Sequence, residues 1–112
     1  MSKRRAKNWS ASAALLFAAL GDQTRLELLQ RLSDAGPASI SILAETFSMT
    51  RQGVTKHLNV LAEAGVIEGR RAGREHLWAL NPERLAEGLA WLEVIGRGWD
   101  DALARLKRHL EE

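Results

Sequence analysis

Apolar positions recur at helical spacing through the first half of the chain and change rhythm once before the end. Trp9 to Leu20 is rich in Ala and Leu, with Ala13, Leu16 and Leu20 on one face, so it reads as a helix that Gly21 terminates. Asp22 or Thr24 can cap a second helix, and Thr24 with Glu27 has capping-box spacing. Leu28, Leu29 and Leu32 form the apolar face of that helix, and Ala35-Gly36-Pro37 stops it. A short third helix is expected from Ser41 to Phe47, facing inward through Leu43, Ala44 and Phe47. Ser48-Met49-Thr50 is a polar turn, with Thr50 the expected N-cap of a fourth helix that runs to about Ala64. Val54, Leu58 and Leu61 would be buried there, and Gly65 supplies the stop.

Beyond Gly65 the period shortens. Val66 to Arg71 and Glu75 to Leu80 read as two strands of a hairpin turning at Ala72-Gly73, with Gly73 providing a positive φ. Asn81-Pro82 then opens a last helix. Its seam of Leu85, Leu89, Leu92, Gly96, Trp99, Leu103, Leu106 and Leu110 alternates steps of four and three, the spacing of a helix that packs along another helix. Gly96 and Gly98 leave open whether that helix is continuous. The expected fold is mainly α with a small β-hairpin wing, the outline of a winged helix-turn-helix.

At 112 residues, 46% hydrophobic and 27% charged, the chain has the size and composition of one globular domain. A chain this short buries a modest share of its surface, so dimerisation would help it stay folded. No apolar run is long enough for a membrane span, and Met1-Ser2-Lys3-Arg4-Arg5 is not followed by the apolar core of a signal peptide. Zero cysteines exclude disulfides and thiolate metal sites, and fit a cytoplasmic protein. Residues 1–8 carry four Lys/Arg and no acid, and read as a basic flexible tail ahead of a single domain over 9–112. Residues 48–81 carry five bases against three acids, a mild excess that suits a polyanion without proving one.

The chemistry concentrates on the outer face of the fourth helix. With Val54, Leu58 and Leu61 inward, Arg51, Gln52, Thr55, Lys56 and Asn59 point outward, supplying donors and acceptors for base edges and cations for phosphate. Arg70, Arg71 and Arg74 surround the hairpin tip, where a wing reaches a backbone or a minor groove. Exposed helices carry such residues routinely; the ordered combination points to nucleic acid.

Three segments resemble the ArsR family of winged-helix repressors. Ala19-Leu20-Gly21-Asp22-Gln23-Thr24-Arg25-Leu26-Glu27-Leu28-Leu29 resembles its opening signature, and Thr50 to Ile67 its recognition helix and exit. Gly69-Arg70-Arg71-Ala72-Gly73-Arg74 resembles its wing. The resemblance implies a mainly α winged-helix homodimer of the cytoplasm, dimerising through its first and last helices, that binds a double-stranded DNA operator and represses transcription. Gln52, Thr55 and Lys56 would then reach base edges with Asn59 on the same DNA-facing side, and Thr50, Arg51, Arg70, Arg71 and Arg74 would mainly hold phosphates. Leu16, Leu20, Leu89, Leu92, Trp99, Leu103 and Leu106 would form the dimer interface.

The family's metal sites are not matched. At the positions of one cysteine pair stand Ser39 and Ser41, and hydroxyls do not replace thiolates for soft metals. His109-Leu110-Glu111-Glu112 matches half of a second site on the last helix, but Gly96 and Gly98 occupy the other half. The chain therefore resembles a non-metal-sensing branch, with no cofactor expected. Trp91 and Trp99 beside those glycines read either as walls of a ligand pocket or, more simply, as helix-packing residues. A small-molecule inducer is compatible with the family, although no residue pattern indicates one. His57 is expected to brace its helix, and His76 to face solvent or the sheet. An enzyme is not expected: there is no phosphate-binding glycine loop and no nucleophile elbow, and the three histidines lie in separate elements. The rival reading is a winged-helix module that binds protein through the fourth helix. Such a module needs apolar anchors on that face, and Arg, Gln, Thr, Lys and Asn are not anchors.

Overall fold

In a computed structural model, which describes residues 3–111 and side chains from Trp9 onward, five helices and one hairpin follow in the expected order. They are α1 (Lys3–Leu20), α2 (Gln23–Ala35), α3 (Ile40–Thr46), α4 (Arg51–Glu63), β1 (Ile67–Ala72), β2 (Glu75–Leu80) and α5 (Pro82–Glu111). α1 starts at Lys3 rather than Trp9. Met1 and Ser2 of the expected tail, and the side chains of its Lys3, Arg4, Arg5 and Lys7, lie outside what is described. No helix among the described residues is long and apolar enough to cross a membrane.

Local caps set the helix ends. Asp22, not Thr24, caps α2, its carboxylate accepting the Arg25 N–H at 3.0 Å. Ser39 caps α3 through the Ile42 amide, so α3 begins one residue before the expected Ser41. Thr50 caps α4 as expected, accepting the Gly53 N–H at 3.0 Å. The exit of α4 satisfies its last carbonyls in pairs: Gly65 N–H bonds Ala62 O and Val66 N–H bonds Leu61 O, with Gly65 at φ +79°. The turn between α3 and α4 repeats that pattern, Ser48 N–H to Glu45 O and Met49 N–H to Ala44 O, with Ser48 rather than a glycine at φ +51°. The carbonyls that end α1 are taken by Arg25 of α2, whose Nε donates to Ala19 O at 2.6 Å and whose Nη2 donates to Ala18 O at 3.3 Å.

The core is one apolar cluster contributed by every element. Leu16 and Ala19 of α1, Leu28, Leu29 and Leu32 of α2, Leu43 and Ala44 of α3, and Val54, Leu58 and Leu61 of α4 meet Val66 and Ile67 beneath the wing. The hairpin pairs Ile67 with Leu80 and Ala72 with Glu75, which leaves Gly73 and Arg74 as a two-residue loop. Ala72 is thus the last strand residue and Arg74 sits at the tip, one residue on from the expected turn. Gly73, first in the loop with φ +64°, is what a II′ turn requires. Trp78 of β2 exchanges both backbone bonds with Ala38, tying the wing's inner strand to the segment between α2 and α3.

α5 is a single helix of 30 residues, unbroken at Gly96 and Gly98, and about 45 Å long at its ordinary rise. The chain extends 67 Å along its longest axis. Only the first turns of α5 join the core: Leu85 packs against the buried cluster, and Gly88 is buried against Leu16.

Candidate nucleic-acid interface

The helix-turn-helix is α3, the turn through Ser48, and α4. Because Val54, Leu58 and Leu61 are fully buried, helical geometry turns Gln52, Lys56 and Asn59 to the opposite side, where all three are exposed. Thr55, expected on this face, and Thr50, expected to hold phosphate, are already engaged. Thr55 is half-buried and donates its hydroxyl to Arg51 O at 2.7 Å, and Thr50 spends its oxygen on the cap. Arg51 is exposed and its guanidinium donates to Ser41 Oγ, linking the starts of α3 and α4. The far end of the face is Val60 and Glu63, an apolar and an acidic group, so the polar reading surface is confined to the first turns of α4.

His57 lies beside that face rather than on it. It is half-buried with Nδ1 3.7 Å from Asp22 Oδ2, so it joins α4 to the capping turn of α2. The Asp22 carboxyl sits below its ordinary pKa, chiefly because it accepts the Arg25 backbone N–H, with Arg25 and His57 adding favourable charge.

The wing is not equivalent on its two sides. In a paired strand successive residues alternate faces, so Arg71 shares a face with its partner His76, and Arg70 points the other way. Arg70 is held at 3.1 Å by Glu68 on its own strand, and both side chains stay about half exposed. His76 lies across Gly69, where a Cβ would collide with the imidazole, and its ring is 5.1 Å from that of Trp78. Arg71 and Arg74 are exposed. Between wing and helix-turn-helix lies a cleft lined by Ser39, Ser41, Ile42, Arg51, Glu75 and His76.

Residues 20–70 match a helix-turn-helix domain family. Transcriptional repressor SdpR of Bacillus subtilis is 32% identical over 87 residues, covering 77% of this chain and 96% of that protein. The solved structure of an ArsR-like transcriptional regulator from Rhodococcus superposes with a TM-score of 0.81 at 39% identity, over 88% of this chain and 92% of that one. The chain belongs to the ArsR family of transcriptional regulators. A second structural relative, at TM-score 0.69 and 25% identity over 87% of this chain and 88% of its own, is a homodimeric winged helix-turn-helix DNA-binding domain from Mycobacterium bovis.

As an ArsR-family chain it carries two further surfaces. Beyond Gly88 the apolar seam of α5 is bare: Leu89, Leu92, Trp99, Leu103, Leu106 and Leu110 are all exposed, Trp99 by 65%. Ile95, outside the strict seam, is exposed beside it and widens the stripe. On α1 the expected interface residue Leu16 is only 1% exposed, because it lies in the chain's own core against Gly88 and offers no surface to a partner. Leu20 is half-buried against the same core, and the outward leucine of α1 is Leu15. Trp91 packs T-shaped on Trp9 of α1, ring centroids 4.5 Å apart, a helix-packing contact within the chain.

The residues the sequence did not single out are Ser41, Leu15, Ile95 and Arg84. Ser41 was visible as a helix start and a replaced cysteine position, but not as a partner of Arg51. Arg84 gave no motif signal, yet bonds more neighbouring groups than any other side chain among those described.

Proposed function

We propose that this chain acts as a homodimeric, sequence-specific DNA-binding repressor that reads an imperfect palindrome with the first turns of α4. The observation that carries this is the exposed set Gln52, Lys56 and Asn59 on the capped end of a helix whose other side is wholly buried. A helix offers base-edge donors and acceptors to a major groove from its N-terminal turns, and here those turns are free of apolar anchors and of acids. Arg71 and Arg74 supply exposed cations for the flanking phosphates, whereas Arg70 and Arg51 are already bonded to Glu68 and Ser41 of the same chain.

Two chains meet through the bare seam of α5. A contiguous apolar stripe this long on a water-exposed helix is stabilised by covering it. Two-fold symmetry then places half-sites about one helical turn, roughly 34 Å, apart or a multiple of that. Repression follows by analogy with the relatives, as does action in the cytoplasm.

The reading includes no metal effector. Ser39 Oγ accepts the Ile42 N–H and Ser41 Oγ accepts from Arg51, so both hydroxyls at the start of α3 serve the fold. Glu112, the last residue of the half-matched second site, lies outside the described residues.

The test is a titration of the purified protein against its own upstream DNA and a scrambled duplex at several salt concentrations, with and without added zinc. Preference for the native duplex by roughly a thousandfold, steep in salt and insensitive to zinc, is the expected result. Equal weak binding to both duplexes would overturn sequence-specific recognition of that region, and zinc-dependent release would overturn the metal-free reading.

A further inference from the structure

Arg84 occupies the junction between the face proposed to bind DNA and the helices proposed to dimerise. Its side chain is only 12% exposed. From the first turn of α5 its Nε donates to Ala64 O at 2.7 Å, the carbonyl at the exit of α4. Its Nη1 donates to Ser12 Oγ at 2.9 Å and its Nη2 to Ser12 O at 2.7 Å, both on α1. Glu87 holds the same guanidinium at 2.7 Å and balances its charge. The stem lies along Gly65, where a Cβ would stand 3.5 Å from Arg84 Cγ. One planar fork therefore joins the end of α4 to both α1 and α5.

We propose that Arg84 is a positioning residue that fixes α4 against the α1–α5 platform and thereby sets which half-site spacing the dimer accepts. The proposal rests on the DNA-binding homodimer reading above. Its physical basis is leverage. α4 has 13 residues and is held at its exit, with its reading end about 20 Å away. A tilt of about 10° about that exit moves the reading end by roughly 3.4 Å, the rise of one base pair, so a loosened exit lets each half of the dimer reach a neighbouring register. A guanidinium holds direction because its donors are fixed in a plane; an ammonium reaching one acceptor does not.

The experiment uses full-length protein and duplexes selected from a randomised library by the wild type. The best palindrome is then resynthesised with its spacer lengthened or shortened by one base pair, alongside a single half-site. The wild type should lose about tenfold or more in affinity for each wrong spacer. Arg84→Gln should reduce that ratio to about threefold or less, chiefly through weaker binding at the preferred spacing. Half-site affinity, dimer mass and the slope of affinity against salt should stay at wild-type values. Arg84→Lys, which keeps the stem and the charge, should still show the relaxed spacing.

A uniform loss with the spacing ratio intact would make Arg84 merely structural and overturn the proposal. A salt slope lowered by about one ion would make it a phosphate contact, with the same consequence. If neither variant gives a wild-type circular dichroism spectrum and dimer mass, Arg84 belongs to the fold and the proposal fails. A wild type that selects no duplex at all sinks the DNA-binding reading itself, a distinct result.

Discussion

Leu16 of α1 stands where a side chain at Gly88 of α5 would have to go: a Cβ built on Gly88 would meet Leu16 Cδ2 at 2.5 Å. Leu16 is buried in the core and cannot simply swing away. Gly88→Ala should therefore destabilise by about 1–3 kcal/mol from overpacking, offset by about 1 kcal/mol of helix propensity. Leu16→Ala should cost about 2–5 kcal/mol by itself. In the double variant the alanine at 88 enters the space vacated by leucine, so the two losses should fall short of additive by about 1 kcal/mol or more. Denaturant melts at one fixed protein concentration measure this cycle; strict additivity would mean the two residues do not share the space.

Acid should weaken the start of α2 in a predictable direction. The Asp22 carboxyl is held below its ordinary 3.8 in the folded chain, first by the Arg25 backbone N–H. A depressed folded-state pKa contributes stability that is present above the unfolded value and lost as pH falls through the folded one. Asp22→Asn keeps a capping oxygen but has no carboxylate to protonate. Its melting temperature should fall less steeply than that of the wild type as pH drops below 3.8. Parallel curves down to the acid end would remove Asp22 from the titrating set.

What was legible in the sequence was local. Thr50 and Gly65 bracket α4 because a cap and a left-handed glycine act within a few residues of themselves, and so the reading face of Gln52, Lys56 and Asn59 followed from where Val54, Leu58 and Leu61 had to point. α1 was harder because its alanines make the apolar pattern nearly degenerate, and one residue step turns a helix by about 100°. That is the difference between Leu16, buried in its own core, and Leu15, facing out. The wing slipped by one residue because Ala72 has no turn or strand signature of its own. Arg84 was illegible for a different reason: its partners Ser12 and Ala64 lie 72 and 20 residues away in the chain, and no spacing rule connects them.

The two adjacent wing arginines should behave differently in DNA binding. Arg71 is exposed on the face it shares with His76, whereas Arg70 is on the opposite face and engaged by Glu68. Arg71→Ala should weaken all duplexes alike and lower the salt slope by about one. Arg70→Ala should have the smaller effect, and Glu68→Ala, by releasing Arg70, should leave affinity unchanged or raise it. Gln52→Ala, on α4, should instead relax selection at one or two base positions. Fluorescence anisotropy over a panel of single-base operator variants separates the two behaviours; base-selective loss in Arg71→Ala would refute its phosphate role.

The bare seam of α5 makes the strongest demand on assembly. Leu103 and Leu106, 47% and 54% exposed, lie well past the last residues of α5 that touch their own core, so in the proposed dimer only a second chain can bury them. Leu103→Glu with Leu106→Glu places two like charges on that stripe, and a desolvated, unpaired carboxylate costs far more than the apolar contact it replaces. The double variant should sediment as a monomer at concentrations where the wild type is a dimer. Its circular dichroism spectrum should retain the helices of the core, since neither leucine belongs to it. Binding to a palindrome should fall toward that of a single half-site, because the second contact loses the effective concentration that linkage provides. Trp99, 65% exposed in the single chain, reports the same change: its emission should shift to the red in the variant and, on dilution, in the wild type. A double variant that stays dimeric with unshifted Trp99 emission would move the interface away from α5.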